Sequence, residues 1–105
     1  GPTNGSSYSS RSYSFLKGQK LRAVMVFGKS NTNTIATKTR MENIDLFLVN
    51  DKTGNTVASS TSTRNNVEII EYTFTQSGEY HFLFKPIRVM SSNLIPMSLA
   101  WQIVN

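Results

Sequence analysis

Short apolar runs of strand length, separated by turn-forming residues, constrain this chain more than any other feature. Ile44-Asp45-Leu46-Phe47-Leu48-Val49 runs into Asn50-Asp51-Lys52-Thr53-Gly54-Asn55, and the chain resumes as Thr56-Val57-Ala58-Ser59-Ser60. Asn65-Asn66-Val67-Glu68-Ile69-Ile70 and Ser77-Gly78-Glu79-Tyr80 repeat the alternation. β-branched and aromatic residues fit a pleated, half-buried surface, whereas Asn, Asp and Gly fit tight turns. No helical period of useful length occurs, so the fold is all-β.

Seven strands can be drawn from this pattern. The first covers Ser12 to Leu16, and the second covers Leu21 to Phe27. In the second, Leu21, Ala23, Met25 and Phe27 share one face, and Arg22, Val24 and Val26 share the other. Apolar residues on both faces predict a central strand. Residues 28–40 form a long polar connection of the kind that often carries function. The third strand, Ile44 to Val49, places Ile44, Leu46 and Leu48 opposite Asp45, Phe47 and Val49. Asp51 to Gly54 turns the chain, with Gly54 free to adopt positive φ. Thr56 to Ser60 is short and weakly apolar, as suits a sheet edge.

Strand five, Val67 to Thr75, contains a change of phase. Val67 and Ile69 fall on one face, and Ile70, Tyr72 and Phe74 fall on the other. A β-bulge near Ile69-Ile70 would turn both sets inward; a strand crossing between sheets is the alternative. Strand six directs Tyr80, Phe82 and Phe84 to one side, and Pro86 is expected to limit pairing beyond it. Strand seven, Met97 to Val104, has Met97, Leu99, Trp101 and Ile103 inward and Ser98, Ala100 and Gln102 outward. Seven to eight short strands with regular turns predict a single antiparallel β-sandwich of jelly-roll-like form.

The 105 residues allow one domain with one core, about 10 Å thick between its sheets. The lack of cysteine excludes disulfides and thiolate metal sites. No apolar run approaches the roughly 18–20 residues of a membrane span. Gly1-Pro2 matches the pair left when a purification tag is cleaved, and residues 3–10 read as a flexible linker. The domain is therefore placed at residues 11–105, as a module of a longer chain. Ser, Thr and Asn make up about a third of the residues, a mix common in extracellular modules.

The net charge of +5 is unevenly placed. Residues 1–41 contain Arg11, Lys17, Lys20, Arg22, Lys29, Lys38 and Arg40 and no acid, whereas all six acids follow. The bases are scattered rather than clustered in a run, so nucleic acid is not an expected partner. Lys29, Lys38 and Arg40, with Phe47, are the candidate ligand-binding residues for an anionic or glycan polymer. Tyr8 and Tyr13, like Phe47, fall out of phase with the core and are candidates for an exposed aromatic platform.

No catalytic residues are assigned. His81 is the one histidine, no nucleophile-elbow motif is present, and the six acids scatter over turns and strand faces. His81 reads as a surface or structural residue.

The order of these motifs resembles the pre-peptidase C-terminal domain family and related jelly-roll domains that follow subtilisin-like proteases. The likeness spans Leu21 to Trp101. It rests on Leu21-Arg22-Ala23-Val24-Met25-Val26-Phe27, Glu42-Asn43-Ile44-Asp45-Leu46-Phe47-Leu48, Gly54-Asn55, Val57-Ala58-Ser59-Ser60, Asn65-Asn66-Val67-Glu68, Ser77-Gly78-Glu79-Tyr80 and Ser98-Leu99-Ala100-Trp101.

The resemblance implies a secreted or cell-surface, non-catalytic accessory module of a bacterial hydrolase, usually a protease, that stabilises or targets its parent enzyme. Some such domains bind calcium or collagen. Asn43 stands where the family has the first Asp of D-x-D, which leaves Asn43 and Asp45 as the candidate metal ligands and calcium as the one candidate cofactor. The parent enzyme domain is the expected partner. The alternatives are a module for carbohydrate, collagen or a cell-wall polymer, and a surface adhesion domain acting through a sheet edge or the basic half.

Overall fold

The computed structural model describes residues 7–27, 41–61, 67–89 and 97–104. Among these residues the chain forms seven strands and no helix: β1 (Tyr8–Phe15), β2 (Lys20–Phe27), β3 (Met41–Asn50), β4 (Thr56–Ser60), β5 (Val67–Thr73), β6 (Gly78–Val89) and β7 (Met97–Val104). One sheet has the order β1-β6-β3-β4 and the other β5-β2-β7, with all pairs antiparallel. Only the β3–β4 connection stays within a sheet. The others cross between sheets, the winding typical of jelly-roll sandwiches.

The core lies between the sheets. Ile44, Leu46 and Leu48 of β3 and Tyr80, Phe82 and Phe84 of β6 face Leu21, Ala23 and Met25 of β2 and Ile70 of β5. Phe15, Phe74 and Tyr80 make an aromatic knot at one end: Phe15 stacks on Phe74 at 4.3 Å between centroids, and Tyr80 meets Phe74 edge-on at 4.7 Å. Offset and edge-on arrangements suit the ring quadrupoles. The Tyr80 hydroxyl donates to the Gln76 carbonyl at 2.8 Å, so its buried polar tip is satisfied.

Two sheet-crossing turns are joined at this end. Gly18 N–H donates to the Phe74 carbonyl, Phe74 N–H donates to the Gln19 carbonyl, and Lys17 N–H donates to Ser77 Oγ. Gly18 has φ of 93°, a conformation that disfavours a Cβ.

The margins of the sandwich differ. β4 packs against β5, where the Ser60 hydroxyl donates to Glu68 Oε1 and accepts from Ile69 N–H. At the opposite margin β1 and β7 meet through side chains, with Tyr13 and Phe15 set edge-on to Trp101 at 5.0 and 5.2 Å.

β2 is central, β4 is an edge, and β3 and β7 alternate as their sequences predict. Four expectations need correction. β5 has no bulge and does not change sheets: it pairs with β2 in unbroken register from Val67↔Val26 to Thr73↔Lys20. Val67 and Ile69 therefore face outward, while Glu68 shares the inner face with Ile70 and is fully buried. β1 begins at Tyr8, inside the stretch read as linker, and ends at Phe15, so Leu16 is an exposed turn residue. β6 continues past Pro86, pairing with β3 as far as Val89↔Met41. Among the described residues β1 pairs with β6 only as far as Tyr8↔Phe84, short of Pro86. Tyr13 packs against the core, in contact with Phe82 and Trp101, and is not a free platform.

Candidate functional site

The outer face of β1-β6-β3-β4 holds the chemistry-bearing residues. Strand register sets them in rows: Ser12, His81 and Val49 are cross-strand neighbours, as are Ser9, Leu83, Phe47 and Ser59, and Lys85 lies opposite Asp45.

The best-defined constellation forms where the β3–β4 hairpin folds back on its sheet. Asn50 shapes the turn: its Oδ1 accepts from Lys52 N–H at 2.9 Å and Thr53 N–H at 3.3 Å. Gly54 N–H closes onto the Asn50 carbonyl at 2.7 Å, with Gly54 at φ 78°. A side-chain amide mimicking a backbone turn is the usual role of Asn at such a position.

This geometry brings Asp51 over β6 and β1. Its N–H donates to the Glu79 carbonyl, its Oδ2 accepts the Ser12 hydroxyl at 2.5 Å, and its Oδ1 lies 2.6 Å from His81 Nδ1. The Ser12 bond first, and the His81 bond next, hold the Asp51 carboxyl below its ordinary range.

Ser, His and Asp thus meet, but in an order unlike that of nucleophilic catalysis. A catalytic serine gives its proton to imidazole, and the carboxylate orients that imidazole from the far side. Here the carboxylate sits in the middle, and the hydroxyl donates to it directly. The group fastens β1 and the hairpin turn to β6. The turn itself was legible in the sequence, but the cluster was not. Its three members are far apart in the chain, and only the β1–β6 register and the fold-back of the turn unite them.

Farther along the sheet, Phe47 is half-buried, and Lys85 Nζ lies 5.7 Å from its ring centroid, a cation–π approach. Phe47 thus lies on the outer face, with its ring engaged by a neighbouring cation. Lys29, Lys38 and Arg40 lie outside the described residues. Tyr8 is exposed on β1.

Asp45 is half-buried; burial and then the charge of Glu68 push its carboxyl upward, while Lys85 pulls the other way. Asn43 pairs with Ile87 in the β3–β6 ladder, and its side chain lies outside the described residues. Calcium takes six to eight oxygens. Among the described residues no group of three His, Cys, Asp or Glu side chains gathers to hold a metal. Asp51, at the far end of β3, is engaged in its own cluster. The described donors therefore fall short of a calcium site.

Compared with known proteins, the chain matches no family model, no curated protein and no solved structure at a significant level. Among the described residues no helix is long and apolar enough to cross a membrane.

Proposed function

We propose that this chain is a non-catalytic accessory module of a secreted bacterial hydrolase, a protease by the resemblance of its motifs, and that it stabilises its parent enzyme. The observation that carries this reading is the Ser12–Asp51–His81 cluster. The chain's one histidine is engaged in it, with the hydroxyl bonded to carboxylate, an arrangement suited to fastening strands rather than to chemistry. The hairpin amide of Asn50 and the Ser60–Glu68 pair likewise act on the protein's own backbone and side chains.

A second reading, a targeting module for collagen or a cell-wall glycan, draws support from one row of side chains. Phe47 and Leu83 lie side by side, half-buried, on the outer sheet face, flanked by Ser9 and Ser59 and approached by Lys85. An aromatic ring with polar neighbours on a flat face can stack on a sugar ring.

The test is a pull-down of the isolated domain on insoluble collagen, cellulose, chitin and peptidoglycan, with calcium or chelator and at low and high salt. The stabilising role predicts no retention that survives high salt. It also predicts a parent enzyme that folds in lower yield when the module is deleted. Salt-resistant retention on one polymer, lost in Phe47→Ala, would replace that role with targeting.

A further inference from the structure

We propose that the edge of β7, on which no strand lies among the described residues, is a self-association surface, where a second copy of this chain lays its own β7 antiparallel, joining the two β5-β2-β7 sheets into one. This inference stands apart from the accessory role.

Among the described residues the two sheets have four end strands, β1, β4, β5 and β7. An end strand presents N–H and C=O groups that template another strand, and stable proteins blunt such edges with bulges, charge, shortness or cover. Three of the four are blunted. β1 has an irregular register between Ser9 and Ser12 and carries Arg11. β4 has five residues and packs against β5. β5 carries Glu68 and Glu71, and its margin is tied to β4 through Ser60.

β7 is the least guarded of the four: among the described residues β1 meets it through the ring contacts of Tyr13 and Phe15 with Trp101 and through no backbone pairing. It is eight residues long, Met97–Val104, with no charge and no proline. It pairs with β2 without a register shift from Val104↔Lys20 to Met97↔Phe27. Among the described residues its other side carries no strand.

Burial points to the same edge. On β2, Leu21, Ala23 and Met25 are fully buried, whereas their cross-strand neighbours on β7, Ile103, Trp101 and Leu99, are only half-buried. On the outer face Ile69, Val24 and Ala100 form an apolar row beside Val67 and Val26, and the row runs to the β7 edge. A strand added alongside β7 would cover the core-side chains and lengthen that row.

Charge and pattern select a second copy as the occupant. A two-fold that keeps core-side residues opposite core-side residues must centre on one residue, Ala100 or Trp101 within this strand. Centred on Ala100, it sets Ser98 against Gln102 and Leu99 against Trp101. Centred on Trp101, it sets Ala100 against Gln102 and Leu99 against Ile103. Neither register opposes like charges in a chain of net charge +5. Centred on Arg11, the same operation on β1 would set two copies of that residue against each other; on β5, centred on Ile70, it would set the charged Glu71 against Ile69 and Glu68 against Tyr72. Among the described strands, β7 alone combines an open edge with the uncharged alternating pattern that such an edge accepts.

The experiment is light scattering after size exclusion at protein concentrations up to about 1 mM, near the weak end of specific association. It compares the unmodified chain with Ala100→Lys and Ile69→Lys. Both side chains lie exposed on the outer face, at the β7 and β5 strands respectively. The expected result is a concentration-dependent dimer, weakened about tenfold or more by Ala100→Lys and left within about twofold by Ile69→Lys. Hydrogen exchange on the unmodified chain provides a readout that does not depend on variants folding: amides within 97–104 gain protection as concentration rises. A monomer at every concentration overturns the proposal. So does a dimer that Ile69→Lys dissolves and Ala100→Lys spares, or protection gained only outside β7.

Discussion

The Ser60 hydroxyl makes two contacts at the β4–β5 margin, donating to the buried Glu68 carboxylate and accepting from Ile69 N–H. A hydrogen bond to a charged group contributes about 1.5–3 kcal/mol when its loss leaves the partner under-solvated. Ser60→Ala should therefore lower stability by about that amount in urea unfolding, with an unchanged m-value. Asp51 gives a prediction of a different kind, in pH. Its carboxyl is held low in the folded state by Ser12 and then His81. The stabilisation is complete above the unfolded pKa and is lost as pH falls through the depressed folded one. Asp45, pushed upward, acts in the opposite sense: folding favours its neutral form, and stability falls as pH rises through its raised value. Asp51→Asn isolates the first effect. Urea midpoints of the two proteins should differ most near about pH 6 and converge toward about pH 2. A gap that does not narrow on acidification would mean that the Asp51 charge does not hold the turn in place.

At the scale of elements, alternation was readable wherever a strand separates core from solvent. β3 and β7 follow that rule, because each has one face to bury, and β4 is the sheet edge that its short, weakly apolar sequence suggests. β5 misled for a physical reason. Outward Val67 and Ile69 are apolar, and inward Glu68 is charged, so hydrophobicity assigns the wrong face to the start of the strand. The inward phase was set by Ile70, Tyr72 and Phe74, and Glu68 is accommodated in it by Ser60, a partner on another strand. The candidate site was legible only in part for a related reason: Asp51 announces a turn, but nothing local announces what the turn folds onto. The β3–β4 hairpin also carries a backbone prediction. Gly54 sits at φ 78° with open space where a Cβ would lie, so Gly54→Ala would meet backbone strain and no clash. Left-handed backbone costs a non-glycine residue about 1–2 kcal/mol. A denaturation midpoint lowered by that amount, with Gly54→Asn less affected than Gly54→Ala, would confirm that conformation and not contact requires glycine here. Equal loss in both variants would point to another cause.

At the scale of the molecule, the two sheets share one core. Leu46 of β3 belongs to the same buried cluster as Leu21, Ala23 and Met25 of β2, and the aromatic knot links both sheets at one end. The chain's one tryptophan, Trp101, lies on the edge strand β7 but contacts Tyr13 and Phe15 of the opposite sheet. Its fluorescence therefore reports whether the sheets are together, while far-UV circular dichroism reports strand content in both. Leu46→Ala removes buried volume from β3, away from the described ring contacts of Trp101, and such truncations cost about 2–5 kcal/mol. A sandwich with one core unfolds as one unit, so the tryptophan and dichroism transitions should shift together by the same amount. If Leu46→Ala lowered the dichroism midpoint and left the tryptophan midpoint in place, β5-β2-β7 would be holding together without its partner sheet. The three-stranded sheet already exposes Val26, Val67 and Ile69 on its outer face, beside the polar row of Glu71, Arg22 and Gln102, and loss of its partner sheet would also expose Leu21, Ala23, Met25 and Ile70. Returning those core side chains to water is unfavourable, so the coincident shift is the outcome expected of two sheets that share one core.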